Sequence, residues 1–428
     1  MTDTIIAVGC VWLFAVLSGL PLYAAMALGA TLFVSVAGFS TSIVPQKMIN
    51  AMNSFPITAA PLFILMGNLF SASKVTDRIV RFATAIMGSL RGGYAQASIL
   101  SSLIFAGMAG SAVADAAATG AVEIRAMKAA GYRADTAAAI NASAATIGAI
   151  MPPSLPIVIF GVTSDISVGR LFLAGCVPGL LMAASLMAMA AIISGRQGFP
   201  RQRFPGMAEL WRSFRDGFLA LLTPVILLGG MFSGLFTPTE GAAVASLYAL
   251  MLGMVVYRTL TVADLGRVLR DTAETAGVVM PLVMAAGALG WCLSVSRLPQ
   301  IAAPAMVASI SHPLLFLLMC NVLLLLVGCF METLAALLIL VPILVPAAKA
   351  FGIDPAQFAI MMILNLVLGT IHPPVGVVLF ISSRIAEISY ETLARAVLPW
   401  LIPLFCVLAA ITLWPPITTW LPGLVLGR

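Results

Sequence analysis

The chain has 428 residues, of which 61% are hydrophobic and only 9% charged. A water-soluble fold of this length needs a polar surface that the composition does not supply, so a soluble protein is excluded and lipid is the implied solvent. The net charge of +6 sits in the segments between apolar runs, which argues against a nucleic-acid partner.

Met1 to Cys10 contains no Lys or Arg ahead of the first apolar run, which predicts a first transmembrane helix rather than a cleaved leader. Ten spans are expected near 5–21, 23–43, 56–73, 136–163, 171–194, 217–235, 239–257, 275–295, 357–383 and 395–421. Each is read as crossing about 30 Å of hydrocarbon. Two further apolar segments, 94–122 and 313–347, read as re-entrant hairpins.

The basic residues orient this plan. With both termini periplasmic, seventeen of the 22 fall on the cytoplasmic side, among them Arg81, Arg125, Lys128, Arg133, Arg201 and Arg203. Five fall on the other: Lys47, Arg170, Arg297, Lys349 and Arg428. Positive charge is retained on the cytoplasmic side of membranes, so this orientation is preferred to its mirror image. A further crossing at the first hairpin would place Arg125 to Arg133 outside.

The chain also repeats itself. At an offset of 221 residues Gly107 matches Gly328, Gly131 matches Gly352, Gly148 matches Gly369, and Pro152-Pro153 matches Pro373-Pro374. Each copy holds five spans and one hairpin. An odd number of spans makes the second copy enter from the opposite side, the inverted-repeat plan of secondary transporters. The expected fold is therefore an all-α polytopic membrane protein of elevator type. Its first repeat covers 1–194, a basic cytoplasmic connector 195–216, and its second repeat 217–428.

The chemistry is expected at the backbone breaks. Thr146-Ile147-Gly148-Ala149-Ile150-Met151-Pro152-Pro153-Ser154 and Leu368-Gly369-Thr370-Ile371-His372-Pro373-Pro374-Val375-Gly376 lie within spans. Proline lacks an N–H, clashes with the carbonyl one turn back and drives its predecessor out of the helical region. Two in succession, four residues after a glycine, unwind the helix, and in hydrocarbon the freed carbonyls need partners. A bound Na⁺ or a wet cavity would provide them; a plain proline kink is the simpler alternative for one break, less so for two at matching positions.

The hairpin tips, Gly107 to Asp115 and Gly328 to Ala335, add small residues for a tight turn and the oxygens of Ser111 and Thr333 near helix N-termini, which favour anions. Candidate ion-binding positions are Gly107, Gly110, Ser111, Thr146, Gly148, Met151 and Pro152, with Gly328, Glu332, Thr333, Gly369, Thr370, His372 and Pro373 in the second copy. Candidate substrate positions are Ser111, Ser154, Thr333 and Gly376. Pro153 and Pro374 hold the breaks. Asp115 is expected to cap a helix or bind a tip amide, and Glu240 to sit in the first turn of a threonine-capped helix. His372 reads either as a proton site or as a polar lining group.

Other chemistries are missing from the pattern. The six cysteines occur singly in apolar segments, and His312 and His372 are far apart, so neither a metal cluster nor a disulfide framework is expected. No GxxxxGK[ST] loop, HExxH or Ser/His/Asp constellation is present, so neither an ATP site of that kind nor an enzyme is expected, and any active transport draws on an ion gradient.

The runs Pro61 to Gly67, Gly110 to Asp115, Gly131-Tyr132, Met151 to Ser154, Pro238 to Ala243 and Pro373 to Gly376, taken in order over essentially the whole chain, resemble the large membrane subunit of tripartite ATP-independent periplasmic (TRAP) transporters. The resemblance implies a bacterial inner-membrane location, Na⁺ coupling without a cofactor, an elevator-type transport domain and a small organic-acid substrate. It also implies two partners, a small four-helix membrane subunit on a separate polypeptide and a periplasmic substrate-binding protein. Ala109 and His372 depart from the family pattern, which often has Ser and Thr there; each removes an oxygen near a presumed ion site. Rival readings are a stand-alone ion symporter, a channel and an intramembrane enzyme built on Asp115 and Glu332.

Overall fold

The computed structural model describes residues 2–53, 55–199, 202–310 and 312–427. Arg201 and Arg428, both used to orient the chain, lie outside the described residues. All regular structure among the described residues is helical. The first half runs α1 (Thr2–Leu17), α2 (Leu22–Val36), α3 (Ile43–Met52), α4 (Ala59–Ala72), α5 (Val75–Met87), α6 (Gly93–Ala109), α7 (Ala112–Ala129), α8 (Ala134–Ala145), α9 (Leu155–Ser164) and α10 (Val168–Gln197). The second runs α11 (Met207–Phe232), α12 (Pro238–Met251), α13 (Val262–Val295), α14 (Leu298–Ser309), α15 (Pro313–Phe330), α16 (Thr333–Ala350), α17 (Pro355–Gly369), α18 (Val377–Ala386), α19 (Tyr390–Leu413) and α20 (Pro416–Leu426).

Among the described residues, seven helices are long and apolar enough to cross a bilayer: α10, α11, α13, α15, α16, α19, and α12 with the π-helical turn that extends it to Val256. Helices α2 and α4 have only 15 and 14 residues. At 1.5 Å per residue they span about 21–23 Å, short of the hydrocarbon thickness. The pairs α6–α7 and α15–α16 form the two hairpins, and α8–α9 and α17–α18 are the two interrupted helices.

The halves share their turning points as well as their helices. Residues with positive φ pair as Gly19 with Gly234, Gly38 with Arg258, Lys74 with Arg297, Gly131 with Gly352, and Asp165 with Glu387. Their separations run from 215 to 223 residues. The Pro152–Pro153 and Pro373–Pro374 bonds are both cis. Leading L-residues such as Lys74 and Arg297 into the left-handed region at φ 54° and 53° is costly, so its recurrence marks a backbone path followed twice.

Three expectations change. The span expected near 217–235 starts earlier: α11 begins at Met207, inside the segment 195–216 expected to join the halves, and α10 continues to Gln197. Arg212 and Arg215 therefore lie on a helix, and α11 is pinned to α5 by Arg81, which pairs with Glu209 at 2.6 Å and Asp216 at 3.3 Å. The apolar run 395–421 is not one span, because α19 ends at Leu413 and α20 starts at Pro416. Pro415 and Pro416 supply no N–H to continue the ladder. Finally, α5 and α14 occupy segments read as loops; each starts from a positive-φ residue, Lys74 or Arg297, that sets it at an angle to the preceding helix.

The largest apolar cluster binds both hairpins, both interrupted helices, α10 and α19 around Phe105, Phe160, Phe172, Phe316, Phe358 and Trp400, all almost fully buried. A second cluster forms a seam in which Leu155 and Ile159 of α9 and Leu334, Leu338 and Ile339 of α16 meet Val279, Val283 and Ala286 of α13. The site-bearing helices thus face the rest of the molecule across an apolar surface.

Candidate functional site

The breaks arise where the prolines predict. In the first, α8 tightens into a 3-10 turn over Thr146–Ala149, and the chain is irregular until α9 starts at Leu155. Ser154 bridges the gap: its hydroxyl donates to the Ala149 carbonyl at 2.5 Å and accepts from the Ile157 amide at 3.3 Å. Among the described residues no hydrogen bond ends on the carbonyls of Met151, Pro152 or Pro153. In the second, α17 ends at Gly369 and α18 begins at Val377, with Val378 N–H donating to the Thr370 carbonyl at 3.0 Å across the gap. The carbonyls of Ile371, His372 and Val375 accept no hydrogen bond from described residues. These oxygens suit a hard monovalent cation.

The first tip is held to the first break by backbone. Gly110 takes φ +63°, and a Cβ there would lie 2.5 Å from the Pro153 carbonyl oxygen. Its own carbonyl accepts from Leu155 N–H at 3.0 Å. Only glycine allows both the left-handed turn and this approach.

The two tips and the two breaks enclose one small cavity. Its wall includes Ser111 of the first tip, Glu332 and Thr333 of the second, Ala149 beside the first break and Thr370 in the second. Ser111 is the extended residue before α7 and makes no side-chain cap bond. Glu332 opens α16, where its Oε2 accepts from the amides of Leu334 at 2.9 Å and Ala335 at 3.2 Å. Its Oε1 has no hydrogen bond from described residues. Two helix N-termini, each with a positive dipole end, therefore converge beside these oxygens. The cavity measures ≈ 30 Å³, enough for an ion or a water and too small for an organic acid.

A larger space lies beside it. A cleft of ≈ 1010 Å³ runs between α3, α13 and α14 on one side and α9 and α16 on the other. Asn50, Thr163, Ser164 and Ser294 line it, and Lys349, at the end of α16, is the one charged residue among its described lining. Its volume is that of a site for a small organic ligand.

The remaining expected positions, apart from Thr370 in the cavity wall, turn away from the cavity. Met151 packs against α10, where a Cβ on Gly179 would lie 3.1 Å from its sulfur. The His372 ring folds back on its own segment, with Nδ1 against the Pro373 carbonyl and 3.5 Å from Cys329 Sγ, and its edge meets Phe405. Thr146 and Thr370 donate their hydroxyls to carbonyls three residues back, at 2.6 Å each. Gly107 approaches α11, where a Cβ would meet the Pro224 ring at 2.5 Å. Gly376 opens α18 with φ 54°. Glu240 closes a capping box with Thr237, accepting from the Thr237 amide at 2.8 Å.

The expectation for Asp115 is overturned. It caps nothing and binds no tip amide: both carboxylate oxygens are buried without a hydrogen-bond partner. Four residues beyond Ser111, one helical turn carries it inward, where a Cβ on Gly148 would lie 3.5 Å from its Cβ and its Oδ2. A set of polar residues not singled out in the sequence lies with it: Ser98, Ser101 and Ser102 on α6, Thr119 and Glu123 on α7, and Asn141 on α8. Their signal is the four-residue spacing of Asp115, Thr119 and Glu123, which places them on one helix face.

Comparison with known proteins agrees with this architecture. The family described as "Tripartite ATP-independent periplasmic transporter, DctM component" matches residues 9–417. The chain is 44% identical over 418 residues to the sialic acid TRAP transporter large permease protein SiaM of Vibrio cholerae, covering 97% of this chain and 98% of that one. It is 38% identical over 412 residues to the 2,3-diketo-L-gulonate TRAP transporter large permease protein YiaN of Escherichia coli, covering 96% and 97%. Among solved structures, the Alcanivorax borkumensis YdaH transporter superposes with a TM-score of 0.64 at 15% identity, covering 86% of this chain and 87% of that one. At that identity the likeness concerns the fold.

Proposed function

The chain belongs to the DctM family of TRAP transporter large permease subunits, and from that premise we propose that it carries a small organic acid across the bacterial inner membrane by Na⁺ symport. The single observation that supports this most is the meeting of two hairpin tips and two broken helices around Ser111, Glu332, Thr333 and Thr370.

In this reading the periplasmic binding protein releases the acid into the cleft, where Lys349 attracts the carboxylate. Separation of the tips enlarges the inter-tip cavity, and the carboxylate settles between the N-termini of α7 and α16. Na⁺ ions sit on the free carbonyls of the two breaks and strengthen the local field for the anion. The free Oε1 of Glu332 accepts hydrogen bonds from hydroxyl groups of the acid and, as a like charge, disfavours a dianion. This fits the sugar-derived acids in the names of the relatives.

The two halves act as inverted repeats meeting at residues 198–206. The hairpins and broken helices move as one body against α2, α4 and α13, and the apolar seam lets them slide without breaking hydrogen bonds. Each net positive charge carried inward gains about 2.3 kcal/mol per 100 mV. The small membrane subunit adds to the stationary part.

The reading is tested in proteoliposomes containing the chain, the small subunit and the binding protein. Uptake of a labelled organic acid should require an inward Na⁺ gradient and all three proteins. Full uptake with choline replacing Na⁺ would remove the coupling; full uptake without the binding protein would favour a stand-alone symporter.

A further inference from the structure

We propose that Cys329 and His372 form a reversible zinc site that ties the second hairpin to the second break and inhibits transport when it fills. The ligand class is a divalent cation of borderline softness, with Zn²⁺ as the probe. The site is separate from the inter-tip cavity, whose described lining includes neither residue.

The first observation is how the main chain brings the pair together. The two residues are 43 positions apart, so their spacing in the chain does not reveal them. The crossing of α15 and α17 places them side by side. A Cβ on Gly369 would lie 2.3 Å from the Gly328 carbonyl carbon. Cys329 follows Gly328 directly, and His372 lies one short turn beyond Gly369. At the far end of the break the Gly376 amide donates to the Cys329 carbonyl at 3.4 Å. Both segments that carry the pair are thus held by backbone.

The second observation is geometry. Cys329 Sγ lies 3.5 Å from His372 Nδ1. Tetrahedral zinc holds a thiolate sulfur at about 2.3 Å and an imidazole nitrogen at about 2.0–2.1 Å, so the edge between two such ligands is about 3.5 Å long. The side chains already stand at ligand spacing. The Pro373 carbonyl oxygen, 3.8 Å from Sγ and against Nδ1, is a third ligand atom within reach. Phe405 meets the imidazole edge-on with ring centroids 6.1 Å apart. The Tyr390 hydroxyl donates to the Pro374 carbonyl at 2.9 Å and steadies the segment that carries the ring. Cys329 is 3% exposed and His372 partly exposed, so the cation and its remaining water ligands enter from the imidazole side.

The third observation comes from the repeat. At the 221-residue offset the equivalent positions are Met108 and Met151. The first copy is built with two apolar side chains where the second has a thiol and an imidazole. Packing at these positions does not call for a polar pair.

The ligand atoms select the cation. A thiolate with an imidazole suits zinc, whereas Na⁺, Ca²⁺ and Mg²⁺ favour oxygen. No group of three or more His, Cys, Asp or Glu residues able to hold a metal occurs among the described residues. The site therefore lacks the three or four protein ligands of a resident zinc ion and exchanges its cation. On binding, the thiol proton leaves to water, the imidazole carries its one proton on Nε2, and the Zn–S and Zn–N bonds replace two bonds to water. Nothing is oxidised or reduced. The divalent charge then lies beside the free His372 carbonyl and opposes Na⁺ there. That inhibition rests on the proposed Na⁺ coupling; the zinc site itself does not.

The test is equilibrium dialysis of ⁶⁵Zn²⁺ against the full chain in lipid nanodiscs, with excess Mg²⁺ present. Cys329→Ser and His372→Gln should each bind one Zn²⁺ fewer per chain than the wild type. Exposed thiols such as Cys10 and Cys406 contribute equally to all three. Zinc should raise the unfolding temperature of the wild type and of neither variant, and if one variant does not fold the other decides. Unchanged stoichiometry in a folded variant, or no Zn²⁺ binding by the wild type, overturns the site whatever ion drives transport. In proteoliposomes zinc should slow uptake by the wild type and by neither variant, each compared with its own zinc-free rate. Zinc bound at the pair with wild-type uptake unchanged overturns the inhibition.

Discussion

A Cβ on Gly369 would lie 2.3 Å from the carbonyl carbon of Gly328, so the second broken helix crosses the second hairpin backbone to backbone. The reciprocal approach is nearly as close: a Cβ on Gly328 would lie 2.7 Å from the Leu366 carbonyl oxygen. Neither obstacle is a side chain that could rotate away. The crossing fixes the height at which the second tip meets the second break.

Gly369→Ala and Gly328→Ala should therefore each destabilise the chain by about 1–3 kcal/mol, the usual cost of forcing a methyl group into a packed interior. Gly277→Ala, where no atom lies within 4 Å, should stay within about 0.5 kcal/mol of the wild type. Thermal unfolding in detergent, with monodispersity on gel filtration as the control, measures the difference.

Glu332 has two separable duties. Glu332→Ala removes the acceptor for the Leu334 and Ala335 amides and should cost about 0.5–2 kcal/mol in stability, as for other lost N-caps. Glu332→Gln keeps an amide acceptor but removes the charge. It should unfold near the wild-type temperature while KM for a hydroxylated acid rises and discrimination against a dicarboxylate falls. Uptake kinetics with both substrates read the two effects apart.

Ser111 and Thr333 supply hydroxyls to the same cavity without serving the fold: Ser111 makes no cap bond. Ser111→Ala and Thr333→Val should each raise KM by roughly tenfold, the equivalent of one hydrogen bond of about 1.4 kcal/mol. Thermal stability should be unchanged. An equal fall in stability would assign these residues to packing instead.

Glu240 gives the contrasting case. Its capping box with Thr237 is exposed and lies outside the cavity lining. Glu240→Ala should lower the unfolding temperature through the loss of about 0.5–2 kcal/mol of capping, with KM unaffected once expression is normalised.

The architecture was legible where the sequence carries residues with few conformational options. Pro152-Pro153, Pro373-Pro374 and the glycines in register marked both breaks and the repeat, because proline and glycine act on the backbone whatever surrounds them. The buried polar cluster was hidden for the opposite reason. Ser98, Ser101 and Ser102 lie in an Ala- and Gly-rich stretch that small-residue packing explains by itself, and what they face depends on how α6, α7 and α8 come together. Asp115 was misread on the same account: its position after Ser111 suggests a cap, and only the rotation of α7 against Gly148 shows that it points inward. The break at Pro415 escaped because apolar composition continues through Trp414, and helices α5 and α14 escaped because composition alone reads their segments as loops.

The most direct measurement is a structure of the chain with its two partner proteins, the transported acid and Na⁺. The account predicts density for the acid's carboxylate between Ser111, Thr333 and Thr370, beside Glu332, with cation density on the carbonyls of Met151–Pro153 and on those of Ile371, His372 and Val375. Acid bound elsewhere, with the inter-tip cavity still closed in a transport-competent complex, would contradict it.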